Sequence, residues 1–247
     1  MSRRASGIAV LALAIAGCGG GDVADTTTTP PTLPETTATT VEPTRTTTIP
    51  DTTTSLPGDP IDIGPQPGDV LAVVGVAHDD VLNVRFAPGT DQTVIEKLDP
   101  LASDVVALGN ARALPASIWF EVETDDGTGW ASSSFLAYLG GTTDATADIV
   151  ELLGEVPVAE TMLDLGLVVA QALASDEPPS RIVMSVAPTV GDLGEVTYDV
   201  VGIGDDAVRG FRLHVFATPD EGGEGFVLKS VEQTVLCGRG LSGELCV

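Results

Sequence analysis

The chain is short of aromatic side chains and of positive charge. Phe, Trp and Tyr together make up 4% of its 247 residues, and 11 Lys and Arg face 36 Asp and Glu, a formal net charge of -25. Phosphate backbones and anionic membrane surfaces repel such a chain, so nucleic acid is excluded as a partner. There are only two histidines, His78 and His214, and three cysteines, Cys18, Cys237 and Cys246. No G-x-S-x-G, S-x-x-K, H-E-x-x-H or Gly-rich phosphate loop is present, and neither is the calcium-loop pattern D-x-D-x-D-G. Ser132-Ser133-Ser134 has no base beside it, and Asp205-Asp206 and Asp220-Glu221 read as solvated turns. His78-Asp79-Asp80 lacks a second histidine nearby and reads as a polar turn rather than a metal trio. The expectation is a non-catalytic protein with no catalytic residue, no metal and no cofactor.

What is present begins with an address. Arg3 and Arg4 precede an apolar run from Ile8 to Ala16, too short to span a bilayer as a mature helix. The run ends in Leu13-Ala14-Ile15-Ala16-Gly17-Cys18. An aliphatic residue and small residues before a cysteine resemble the lipobox of bacterial lipoproteins. That resemblance implies a signal peptide over 1–17, cleavage before Cys18 and diacylglycerol on its thiol. The mature chain would then sit on the outer face of the membrane, anchored and not spanning.

Residues 18–67 are rich in Thr and Pro, as in Thr26-Thr27-Thr28-Thr29-Pro30-Pro31, and hold no aromatic residue. With little to bury, this stretch is expected to be a disordered, semi-rigid tether. At ~3.1 Å per residue, about 50 residues reach roughly 150 Å when fully extended. Thr beside Pro suggests O-glycosylation, and the Thr-rich tether resembles those of actinobacterial lipoproteins.

Between 68 and 140 the pattern has the period of strands. Leu82, Val84 and Phe86 alternate with Asn83 and Arg85, and Phe120 and Val122 alternate with Glu121 and Glu123 ahead of Asp125-Asp126-Gly127. Strands are expected at 70–76, 81–85, 94–98, 105–107, 118–123 and 128–131. Leu82-Asn83-Val84-Arg85 followed by Ala87-Pro88-Gly89, and Trp119 to Val122 followed by Asp126-Gly127-Thr128-Gly129-Trp130 and Ser133 to Leu136, together resemble the bacterial SH3-like domain. Phe86 and Ala87-Pro88-Gly89 depart from the small residue and G-P-G turn of that family. The resemblance covers less than a third of the chain. It implies a small closed barrel, with a ligand groove near Arg85, Trp119 and Trp130 for a cell-wall component or a peptide. The two tryptophans and Tyr138 also suit packing.

Residues 142–247 read as an α+β domain. Thr142–Ala147 is a polar joint. A short helix is expected over 144–154, and a longer one over 157–174, where Val158, Met162, Leu165, Val169 and Leu173 recur at three- and four-residue steps. Strands at 181–186, 196–201, 209–217 and 226–236 complete an antiparallel four-stranded sheet, in a cystatin-like or nuclear-transport-factor-like arrangement. With Cys18 acylated in an oxidising compartment, Cys237 and Cys246 are expected to form a disulfide.

The expected fold class is therefore an all-β SH3-like small barrel followed by an α+β domain, behind a disordered tether. The expected function is a lipid-anchored cell-envelope protein whose SH3-like domain binds cell wall or peptide. Two alternatives stand beside it: a lipoprotein whose C-terminal domain binds an envelope protein, and an unrecognised hydrolase in that domain.

Overall fold

The structure is a computed structural model describing residues 55–220, 222 and 225–247. The expected leader, Cys18 and residues 18–54 of the expected tether lie outside the described residues.

The first strands are β1 (Asp59–Ile61), β2 (Val70–Val73), β3 (Leu82–Arg85), β4 (Val94–Leu98), β5 (Val105–Leu114), β6 (Ser117–Thr124), β7 (Gly127–Ser132) and β8 (Leu136–Asp144). α1 (Thr146–Leu153), β9 (Val158–Ala159) and α2 (Met162–Ala172) follow. The chain continues through β10 (Arg181–Val190), β11 (Gly194–Val201), β12 (Val208–Pro219) and β13 (Phe226–Cys237), and ends in β14 (Leu241–Ser242) and β15 (Leu245–Cys246).

Thirteen strands form one antiparallel sheet in the order β10-β11-β12-β13-β8-β2-β5-β6-β7-β3-β4, with β1 added beside β5 and β9 beside β13. This overturns the expected fold class. There is no closed barrel among the described residues, because β4 stands at the sheet's edge and does not return to pair with β8 or β2. Nor is there a separate four-stranded sheet, because β8 joins the two halves. Ala137 and Leu136 pair with Ala72 and Val73 of β2, while Leu139, Thr142 and Asp144 pair with Leu236, Thr234 and Glu232 of β13. The expected polar joint at Thr142 is thus strand. Its threonines serve the ladder, and the Thr142 and Thr234 hydroxyls lie 2.7 Å apart across it. The expected tether also ends early, since Asp59–Ile61 pair with Ala111–Ala113 of β5.

The second helix starts later than its apolar period indicates. Val158 and Ala159 are taken up as β9 against Val227 and Phe226, and Thr161 caps α2. The Thr161 hydroxyl accepts from Asp164 N at 3.1 Å and donates to the Asp164 carboxylate at 2.6 Å, which satisfies an end group that the helix cannot satisfy itself.

Three buried clusters, two large and one small, hold the sheet. Leu165, Val169 and Ala170 of α2 pack with Ile149 of α1 on Val196, Tyr198, Val200, Leu213 and Val215. The other large cluster gathers Leu71, Val73, Leu82, Val84, Ala107, Val122, Leu136 and Tyr138, and Cys237 of β13 is part of it. Val74, Ala137, Val201 and Leu236 form a third, small cluster. β8 therefore buries Leu136 and Tyr138 on one face and Ala137 on the other, which a covered central strand requires.

The Cys237–Cys246 disulfide, with Cα atoms 5.1 Å apart, folds the tail back across β8. Gly141 N donates to Glu244 O at 2.9 Å, and a side chain on Gly140 would meet that same carbonyl. The Gly140-Gly141 pair is what lets the two backbones approach.

Candidate functional site

The hydrophobic alternation of β3 turns Leu82 and Val84 into the core and leaves Asn83 and Arg85 outside it. Arg85 Nη1 donates to Gln92 O at 2.6 Å, so the guanidinium is anchored across the β3–β4 turn. On β6, Trp119 is 2% exposed, and its indole N–H donates to the Ser117 hydroxyl at 2.9 Å. The satisfied N–H lets the ring lie against apolar neighbours without an orphaned donor.

Arg85 and Trp119 line one groove of about 430 Å³. Asn83, Asp80 and Thr90 give it polar edges, Val76, Ala77, Leu82 and Phe135 give it apolar walls, and Val183 of β10 contributes from the far half of the sheet. Trp130 is not among its lining residues. It is 3% exposed and paired with Arg85 and Glu121 on neighbouring strands. The structure thus brings two of the three expected groove residues together and places the third in the packed interior.

Val183 and Phe135 were missed by sequence reasoning. Phe135 lies in the Ser133–Phe135 turn between β7 and β8, and its place inside the resembling motif is the one local signal it carries. Val183 carries no local signal, because its position depends on a pairing made far along the chain.

No histidine, cysteine or lysine lines the groove. The groove therefore presents one guanidinium, one carboxylate (Asp80), one indole and hydroxyl- and amide-bearing edges. His78 lies outside it, with its backbone N–H donating to Met184 O at 3.0 Å. His214 stands on the sheet face opposite the helices, 3.6 Å from Glu195 and 4.0 Å from Glu232, with its ring centroid 4.1 Å from that of Phe216. Among the described residues no group of three or more His, Cys, Asp or Glu side chains could hold a metal ion, and no helix is long and apolar enough to cross a membrane.

Comparison with protein-family models, with curated proteins and with solved structures finds no match to this chain.

Proposed function

We propose that the protein is a non-catalytic, lipid-anchored component of the cell envelope that holds a cell-wall fragment or an envelope peptide in the groove at Arg85 and Trp119. The observation that carries this reading is the convergence of an anchored guanidinium, an indole and apolar walls on one groove of about 430 Å³. That volume suits a short peptide or a sugar-peptide fragment rather than a flat protein surface. The address at Leu13 to Cys18 supports the anchoring, and the net charge of -25 supports a partner that is not itself an anionic polymer such as nucleic acid.

The test is co-sedimentation of Gly19–Val247 with purified cell-wall sacculi at low and high salt. Retention that survives salt and falls when Val183 is replaced by Glu is the expected result. Absence of retention at both salt concentrations, together with no direct binding of soluble muropeptides, would refute the cell-wall reading.

A second reading has its own observation. A depression of about 540 Å³ on the sheet face away from the helices is lined by Thr197, Arg212, His214 and Glu232. A protein partner seated there would be lost with His214→Ala and unaffected by changes at Arg85.

A further inference from the structure

We infer that Arg181 and Arg209 form a seat for an oxyanion, a carboxylate or a phosphate of the ligand, at the end of the groove. In a chain with 36 acidic and 11 basic residues, a guanidinium has many carboxylates to choose from. Arg212 and Arg239 each take one, Asp199 at 2.7 Å and Asp206 at 2.6 Å. Among the described residues Arg181 and Arg209 have no carboxylate oxygen within 4.0 Å.

Both arginines are held on consecutive residues. The Arg181 guanidinium carbon lies 4.8 Å from the centroid of the Phe135 ring, and Arg209 Nη1 donates to the Leu136 carbonyl at 3.0 Å. Arg209 Nε is buried without a hydrogen-bond partner. Stacking and one carbonyl bond position two like charges but neutralise neither. Burial, and then the neighbouring Arg181 charge, hold the Arg209 guanidinium below its ordinary pKa, as expected of a cation waiting for a counter-charge. Guanidinium groups present forked donors that match carboxylate and phosphate oxygens.

The seat adjoins the groove. Phe135 and Gly75 line the groove, and the Arg181 guanidinium fills the space that a side chain on Gly75 would take. Arg181 is two residues before Val183 on the same face of β10. The nature of the ligand rests on the groove reading above; the seat itself does not.

The test is a titration of the ¹⁵N-labelled full chain with inorganic phosphate and with N-acetyl-alanine, following the Nε–Hε signals of Arg181 and Arg209, with sodium chloride at matched ionic strength. The expected result is saturable movement of both signals with at least one of the two anions and not with chloride; whichever anion acts identifies the source. Arg181→Gln, at an exposed position, weakens that binding by about tenfold or more. No movement with either anion, equal movement with chloride, or unchanged affinity in Arg181→Gln would each overturn the seat. Anion binding that muropeptides do not displace would leave the seat standing and retire the cell-wall reading alone.

Discussion

Asp199 on β11 and Arg212 on β12 form a two-point ion pair, Nε to Oδ1 at 2.7 Å and Nη2 to Oδ2 at 2.8 Å, with the Asp199 side chain fully buried. The pair reaches across the molecule. Asp199 Oδ2 also accepts from Gly75 N at 2.8 Å, and Arg212 Nη2 also donates to Val73 O at 2.8 Å. Removing one partner strands a buried charge and frees the loop after β2. Asp199→Ala should cost about 3–5 kcal/mol, whereas Asp199→Leu with Arg212→Met should recover part of that loss. Both tryptophans lie before β8, so urea unfolding followed by Trp fluorescence and by far-UV circular dichroism should shift together. Separate shifts would show that the two halves of the sheet unfold independently.

Gly166 lets α2 sit on β11. A Cβ there would lie 2.5 Å from Val196 Cγ1 and 2.6 Å from Tyr198 Cε2. Gly-to-Ala inside a helix ordinarily gains up to about 1 kcal/mol, but overpacking a core costs about 1–3 kcal/mol. The clash is with the body of two buried side chains, so Gly166→Ala should lower the thermal midpoint. A raised midpoint would mean that the helix can lift from the sheet at little cost.

Local pattern located elements and could not assign their neighbours. α1 lies inside the short helix expected over 144–154, α2 lies inside the stretch at 157–174 whose apolar residues recur at helical steps, and β10 to β13 each contain an expected strand. Three features escaped it for one physical reason. The shared strand β8, the open edge at β4 and the Val183 wall of the groove all depend on pairings between distant residues. The Gly75–Asp199 hydrogen bond, for one, spans 124 positions. The motifs around Arg85 and Trp119 are compatible with a closed barrel or an open sheet, because period-2 alternation specifies a face and not a partner. Trp130 is put at the groove only by the resemblance to the SH3-like family. Its register opposite Arg85 and Glu121 leaves it packed instead.

The tail is held by one covalent link. Cys237 is fully buried, and Cys246 is nine residues further on. A loop this short should contribute about 2–3 kcal/mol, and Cys246→Ser should remove it. The same change should release Gly141 N from Glu244 O, so amide exchange at Gly141 should quicken while exchange at Leu213 does not. Unchanged protection at Gly141 would show that the tail stays on β8 without the link.

Alkaline pH should destabilise the fold through its only two tyrosines. Tyr138 is 7% exposed, and its hydroxyl donates to the Asp69 carboxylate at 2.6 Å; Tyr198 is 4% exposed and donates to Leu163 O at 3.1 Å. Burial first, and then Asp69, push Tyr138 above its ordinary pKa; burial first, and then the Asp164 charge, push Tyr198 the same way. Above the unfolded value near 10 the unfolded chain releases protons that the folded chain keeps. Stability is therefore fully present below that pH and is lost as pH rises towards the folded values, by up to about 1.4 kcal/mol per pH unit for each tyrosine. Tyr138→Phe should flatten this limb by one tyrosine's share in urea titrations between pH 9 and 11. An unchanged limb would show that Tyr138 ionises freely in the fold.

The two tryptophans should answer a ligand differently. Trp119 lines the groove and Trp130 does not, although both are nearly buried. A muropeptide in the groove would contact the Trp119 ring and alter its emission, while Trp130 would keep its surroundings. Trp130→Phe should therefore retain a ligand-induced fluorescence change, and Trp119→Phe should abolish it. Calorimetry on Trp119→Phe separates a lost reporter from lost binding. Phe keeps much of the apolar face but removes the N–H that Ser117 accepts, so affinity should fall by about tenfold rather than vanish. A fluorescence response that disappears only with Trp130 would place the ligand elsewhere, on the β7 side of the sheet, and would displace the groove as the binding site.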